Sequence, residues 1–332
     1  MATQVATHTG YVKGMTGQVS RANEGFDSNA AFVVTDDGVV VFDALGSPPL
    51  GGALVAAIRT VTDQPMRRVI VSHFHADHCY GLQSLQAAGA EVWAYTAARD
   101  YLAADAPRLR LAERRQSLAP WGDQDTRIVT PDLWLDSDVA CETGGLHFTV
   151  VHVGPAHTAE DLALVVAEDE ATLVGDLMFA GRIPFVGETD SKARLAAIDK
   201  LGRSRPKVMV GGHGPASFDA ATDVALTRDY LLYLLYLRQT MGAAAEAMIG
   251  FDEAYAHTDR SHFAHLPAFD GAHRRARRRL QGSRHQAPAA GHRLRPAHAA
   301  DDRIGARFPA RRRPGRCRVL GREGQSGRQE CR

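Results

Sequence analysis

Residues 72–78 read Ser-His-Phe-His-Ala-Asp-His, which places His73, His75, Asp77 and His78 within six consecutive positions. Each is a polar side chain that must find a partner if buried. Imidazole nitrogen and carboxylate oxygen are also ligands of divalent metals. The preceding Arg68-Val69-Ile70-Val71-Ser72 is rich in β-branched residues and reads as a buried strand. The cluster therefore leaves the C-terminal end of a strand on a loop, where a rigid scaffold can aim several side chains at one point. By itself this loop serves one metal or two, and hydrolysis or oxygen chemistry.

Three further positions repeat the device of a polar residue just beyond an apolar strand, with glycine close by. His157 follows Val153-Gly154-Pro155-Ala156, Asp176 closes Thr172-Leu173-Val174-Gly175, and His213 follows Val208-Met209-Val210-Gly211-Gly212. Glycine there permits close backbone approach. Two four-coordinate metal shells need about six ligands and a bridge, and the seven residues supply that number. Asp43, at the end of the apolar run 38–42, is a candidate to orient a ligand imidazole, as are Thr158 and Asp161. Arg182 and Phe185, after Asp176, are candidates for the pocket rim, and Tyr233 for a substrate contact. His147 and His152 read as ordinary strand histidines.

The rest of the chain supplies an α/β alternation. Strands are expected over 30–35 and 38–42 around an Asp36-Asp37 turn. A helix capped by Ser47-Pro48 follows, then a strand to residue 72, a short helix over 81–88 and a strand over 91–95. A helix is expected over 97–116, and strands over 127–129, 133–135 and 146–153. A hairpin over 162–167 and 171–174 leads to a helix over 191–201 and a strand over 207–210. The stretch 222–248, with a break foreseen at Gly242, is apolar nearly all round at Tyr230–Leu237. That pattern fits core packing, a cleft wall or a homodimer contact.

The order HxHxDH, then His, Asp and His resembles the metallo-β-lactamase superfamily over roughly residues 11–215. The resemblance implies a four-layer αββα sandwich with C-terminal helices and the metals at one edge. It implies that His73, His75 and His157 hold one metal, that Asp77, His78 and His213 hold the other, and that Asp176 bridges them. In the true β-lactamases with the most similar spacing, a cysteine occupies the place of Asp176. The aspartate, with Gly154–Asp161 and Asn29–Val34, looks most like the SoxH-like and glyoxalase II-like branch. Cys79 departs from the small or aliphatic residue usual after the cluster.

The implied cofactor is two zinc ions, with iron or manganese as alternatives. The implied activity is attack of a metal-bridging hydroxide, guided by Asp77, on a thioester, ester or lactone, with β-lactam hydrolysis as a side activity. Two other readings use the same scaffold: a mononuclear iron sulfur dioxygenase on His73, His75 and His157, and a metal-dependent phosphodiesterase or nucleic-acid enzyme. The intact second ligand set disfavours the first.

Charge bears on the other. From residue 272 onward there are eighteen arginines, no lysine and four acidic residues, about +14, which leaves the remainder about −13. An acidic catalytic part disfavours nucleic acid as partner and leaves a small-molecule substrate. The expected division is a catalytic domain over 1–272 and an Arg/Ala/Gly/Pro-rich tail over 273–332, disordered or non-native in composition, as from a GC-rich gene read out of frame. No apolar run reaches the roughly 18 residues of a membrane span. Four scattered cysteines suit a reducing compartment. Residues 1–5 lack signal-peptide character, which predicts the cytoplasm as the sequence is written, or the periplasm if the natural start lies upstream.

Overall fold

The computed structural model describes residues 1–17, 19–181, 184 and 191–266, and the backbone of 317–319. Among these the strands form two mixed sheets. The first contains β1 (Ala2–Gln4), β2 (Thr9–Val12), β3 (Ala30–Thr35), β4 (Gly38–Phe42), β5 (Met66–Ile70), β6 (Glu91–Tyr95) and β7 (Leu133–Leu135), side by side in chain order. Pairing is antiparallel through β4 and parallel from β4 to β7. The second contains β8 (Val139–Thr143), β9 (Leu146–His152), β10 (Leu162–Val166), β11 (Ala171–Phe179), β12 (Val208–His213) and β13 (Cys317–Val319), in the order β12-β11-β10-β9-β8-β13. Only β11 and β12 pair in parallel there.

Alternation along the strands explains the layers. Val40, Phe42 and Ile70 point into a core shared with Phe148, Val150, Leu164 and Leu173, between the sheets. Their neighbours Val39, Val41 and Val69 point the other way, onto α1 (Pro48–Arg59) and α3 (Leu82–Ala87) through Leu54, Ile58, Leu82 and Leu85. On the second sheet, Ala163, Val174 and Met209 pack on Ala197 and Leu201 of α6 (Ser191–Arg203). Both faces of both sheets are thus apolar, which is why the strands read as continuous hydrophobic runs. The result is the four-layer α/β sandwich expected.

Local signals account for the helix bounds. Ser47 caps α1 by accepting from the Leu50 amide, with proline at the first turn. The expected helix over 97–116 is two, α4 (Ala98–Ala103) and α5 (Ala106–Ser117), because Ala104 turns extended and Pro107 opens the second. Residues 127–129 form no strand; Val129 packs into the core as a loop residue. α7 (Ala220–Glu246) continues through Gly242, and its Tyr230, Tyr233, Leu237 and Met241 bury against Tyr255 of α8 (Phe251–His257). No helix among the described residues is long and apolar enough to cross a membrane. Three residues of the Arg-rich stretch, β13, pair antiparallel with β8; the rest of that stretch, with Arg182 and Phe185, lies outside the described residues.

Candidate metal centre

The ends of β5, β9, β11 and β12 converge on one edge of the sandwich. His73 and His75 lie on the turn after β5, and Asp77 and His78 on the single turn α2 (Ala76–Cys79). His157 follows β9, Asp176 sits in β11, and His213 ends β12. β11 and β12 slip register twice, between Leu173 and Gly175 and between Gly175 and Phe179. Such bulges re-aim side chains, and here Asp176 is the one turned inward.

These seven residues fall into two groups, His73, His75, His157 and Asp176, and Asp77, His78 and His213. The ligating atoms within each group lie within 4.8 Å of one another. Asp176 faces both. Its Oδ1 is 3.1 Å from His78 Nε2 and 3.2 Å from His213 Nε2, while its Oδ2 is 3.3 Å from His157 Nε2. Asp77 Oδ2 is 3.5 Å from His78 Nε2 and 3.4 Å from His213 Nε2. His73 Nε2 is buried without a hydrogen-bond partner, and His78 Nε2 and Asp176 Oδ1, although close to each other, do not meet in hydrogen-bond geometry. Leaving such atoms unsatisfied costs about 1–3 kcal/mol each. Imidazole nitrogens and a carboxylate oxygen, buried and convergent, fit a divalent metal, which would satisfy them together.

The surroundings fix the ligand side chains. Asp43 accepts from the Ser72 amide at 2.7 Å and the Ser72 hydroxyl at 2.8 Å, and its Oδ2 lies 2.9 Å from His78 Nδ1. The Ser72 hydroxyl is also 2.9 Å from His73 Nδ1. One buried carboxylate thus orients imidazoles of both groups, the usual arrangement behind metal-ligating histidine. Asp43 does this from a left-handed backbone, φ 66°, and Leu45 shares it at φ 67°. Such conformations are costly in residues other than glycine and concentrate at functional sites. The Asp27 carbonyl, 2.6 Å from His213 Nδ1, holds that ring. Asp161 accepts from the His157 and Thr158 amides and from the Thr158 hydroxyl at 2.8 Å, which shapes the turn that presents His157.

Burial and neighbouring charge split the histidines. His73, His75 and His157 are held well below the ordinary imidazole range, chiefly by burial, His75 at about 4. Burial opposes charge on His78 and His213 too, but the carboxylates outweigh it. Asp176, Asp77 and Asp43 push His78 up, and Asp176 and Asp77 bring His213 to about 10. Asp77 and Asp176, although buried, stay ionised well below the usual carboxylate range because His78 and His213 face them.

The sequence profile described as the metallo-beta-lactamase superfamily matches residues 23–213. That span is more than half of the chain and contains all seven residues. The chain belongs to the metallo-beta-lactamase superfamily. It is therefore a metal-dependent hydrolase with a His/Asp cluster able to bind metal. A metallo-beta-lactamase from Pontibacter korlensis is similar in structure, with a TM-score of 0.54 and 21% identity over 70% of this chain and 98% of that one. The stereoselective inverting sec-alkylsulfatase Pisa1 from Pseudomonas sp. is also similar, with a TM-score of 0.56 and 17% identity over 78% of this chain and 45% of that one. At these identities the likeness is one of fold.

One residue stands elsewhere than the sequence suggested, two strand histidines stand where it put them, and one residue was missed. Tyr233 is fully buried in the cluster between α7 and α8, not with the metal-binding residues. His147 bonds Glu168 and His152 stacks on Tyr95, both outside the two groups. Arg194 of α6 is fully buried, donates to the Asp176 carbonyl, and has Nη1 3.3 Å from His157 Nδ1. Its guanidinium lies 5.4 Å over the Phe179 ring, and burial lowers its pKa to about 10. The signal was present in the sequence: Arg194 stands at the head of the inward stripe Arg194, Ala197, Ile198, Leu201.

Gly212 is fixed by the site itself. A Cβ there would lie 2.1 Å from Asp176 Oδ1 and 2.9 Å from His78 Cε1. Gly212→Ala is expected to displace that carboxylate and cut metal content and hydrolysis together, by about 10²-fold in rate. Elemental analysis beside an activity assay checks it; unchanged values in both would contradict the packing described.

Proposed function

We propose that the chain is a dinuclear metallohydrolase, with zinc as its metal, that opens a carbonyl-heteroatom bond of a thioester, ester or lactone. The observation that carries this reading is the position of Asp176. Its two oxygens face two separate histidine groups, as a carboxylate shared by two metals must. His73, His75 and His157 would hold one ion, Asp77, His78 and His213 the other. Such a pair supplies, when bound, an acidified water as nucleophile and a Lewis acid for the carbonyl oxygen.

The chain's own residues do the remaining work. Asp77 presents Oδ2 toward the space between His78 and His213, where it can accept a hydrogen bond from the attacking water and set its direction. Asp43 and Ser72 keep the His78 and His73 rings from rotating, so attack needs no rearrangement of the site. The Asp/His pattern also supports placing the chain nearer the SoxH-like and glyoxalase II-like branch than the dedicated β-lactamases, with β-lactam opening as a side activity.

The test is a panel of thioesters, lactones, phosphotriesters and β-lactams assayed with zinc-loaded protein, beside His75→Ala. Turnover of the carbonyl substrates, two zinc ions per chain, and loss of about 10³-fold in the variant with its circular dichroism intact are expected. One iron per chain with oxygen uptake on a persulfide, or full activity in metal-depleted protein, would refute the reading.

A further inference from the structure

Four imidazoles, those of His73, His78, His157 and His213, present Nε2 to the two groups. Three of them keep an oxygen behind the ring. Asp43 Oδ2 lies 2.9 Å from His78 Nδ1, the Asp27 carbonyl 2.6 Å from His213 Nδ1, and the Ser72 hydroxyl 2.9 Å from His73 Nδ1. His157 is the exception. Arg194 Nη1 stands 3.3 Å from its Nδ1, and a guanidinium carries five donors and no acceptor.

The guanidinium is held where it is. Arg194 is 0% exposed. Its Nη2 donates to the Asp176 carbonyl, and its charge lies 5.4 Å over the Phe179 ring, which in turn stacks on His213 at 4.7 Å. One and two turns further along α6, Ala197 and Leu201 pack with Val174 and Met209, so the helix is fixed against the strand that carries Asp176.

Two effects follow for the first group. A neutral imidazole bound through Nε2 keeps its hydrogen on Nδ1, where in His157 it meets a donor and finds no acceptor. The arginine charge also opposes a divalent cation across the ring, in a buried setting that screens it weakly. A carboxylate behind a ligand imidazole makes it a better donor to metal; a cation makes it a poorer one. Asp43 and Arg194 therefore act in opposite senses, one behind the second group and one behind the first.

We propose that Arg194 is a positioning residue that acts through His157 to weaken it as a ligand, loosening the first group's hold on its metal. The consequence for the reaction is that more positive charge is left to polarise a substrate carbonyl. The inference rests on the dinuclear reading above and is independent of which carbonyl substrate is cleaved.

The experiment measures zinc affinity by competition with a fluorescent chelator on the full-length wild type, Arg194→Gln and Arg194→Lys, with circular dichroism and Tm on each. Glutamine keeps a donor for the Asp176 carbonyl and removes the charge; lysine keeps the charge. One of the two zinc constants is expected to tighten by about tenfold in Arg194→Gln and to stay within about twofold of wild type in Arg194→Lys. On fully loaded protein, kcat for a thioester is expected to fall by about tenfold in Arg194→Gln, so that affinity and turnover move in opposite directions. A residue that only supports the fold would weaken binding in both variants, and that result, or unchanged constants in both, overturns the inference. Should the glutamine variant lose the wild-type circular dichroism, the wild type decides by nitrogen-15 NMR of its zinc-loaded histidines, assigned with His157→Gln. Downfield ring N–H protons from His78 and His213 with none from His157 sustain the inference; a downfield His157 N–H overturns it. Should the wild type bind a single zinc, the dinuclear reading fails, and Arg194 is judged on that ion: tightening in Arg194→Gln alone sustains its role, and no tightening removes it. Failure of every form to bind zinc overturns both.

Discussion

On the dinuclear zinc reading proposed above, Asp176→Asn is expected to reduce bound zinc from two ions per chain to one or none and to lower hydrolysis by about 10³-fold. The change is isosteric, so packing alone predicts little. What it alters is the charge and one of two acceptors. Oδ1 serves His78 and His213, and Oδ2 serves His157. An amide offers an oxygen to only one side, whichever way it turns, and aims N–H donors at nitrogens or metal on the other. Asp176 is 4% exposed, so water cannot fill in. The charge lost also held His78 and His213 against burial, and removing one partner of a buried charge network costs about 3–5 kcal/mol. Elemental analysis, kcat and a thermal melt on the same preparation check the three consequences. Two zinc ions and undiminished kcat would show that the carboxylate bridges nothing.

The His/Asp cluster able to bind metal was legible because its signals are local. His73 to His78 declare themselves by crowding, and His157, Asp176 and His213 by standing where an apolar strand stops beside glycine. The residues that hold those ligands were legible only in part. Asp43 could be suspected as a strand-ending acid, yet nothing nearby in sequence says that its carboxylate meets Ser72 and His78, 29 and 35 positions away. Arg194 interrupts an inward helical stripe, a pattern that periodicity exposes once the helix bounds are right. Tyr233 shows the opposite error. An aromatic in an apolar run offers a pocket wall and a core equally well, and only the packing of α8 on α7 decides between them.

Stripping the metal should lower Tm by roughly 8–16 °C at neutral pH, taking about 4 kcal/mol for free zinc at a thousandfold excess over Kd and roughly 2–4 °C per kcal/mol for a domain of this size. The gap should widen as pH rises, and the sign follows from the two histidine groups. His213 sits at about 10 in the metal-free fold against an ordinary value of 6.5. Its protonated pairing with Asp176 and Asp77 stabilises the metal-free protein fully below about 6.5, and this contribution fades as pH climbs toward 10. Zinc needs the deprotonated ring, so affinity at the second group gains over the same window. His73, His75 and His157 behave oppositely: held neutral by burial, they penalise the metal-free fold only as pH falls below about 6.5. At pH 7 they are therefore ready to ligate. The first zinc should enter their group without releasing a proton, and the second should expel protons from His78 and His213. Calorimetric titration in two buffers of different ionisation enthalpy separates the events, since only the second should change its apparent heat. A Tm gap that narrows from pH 6.5 to 9, or buffer-independent heats for both ions, would contradict this account of how the carboxylates hold His78 and His213.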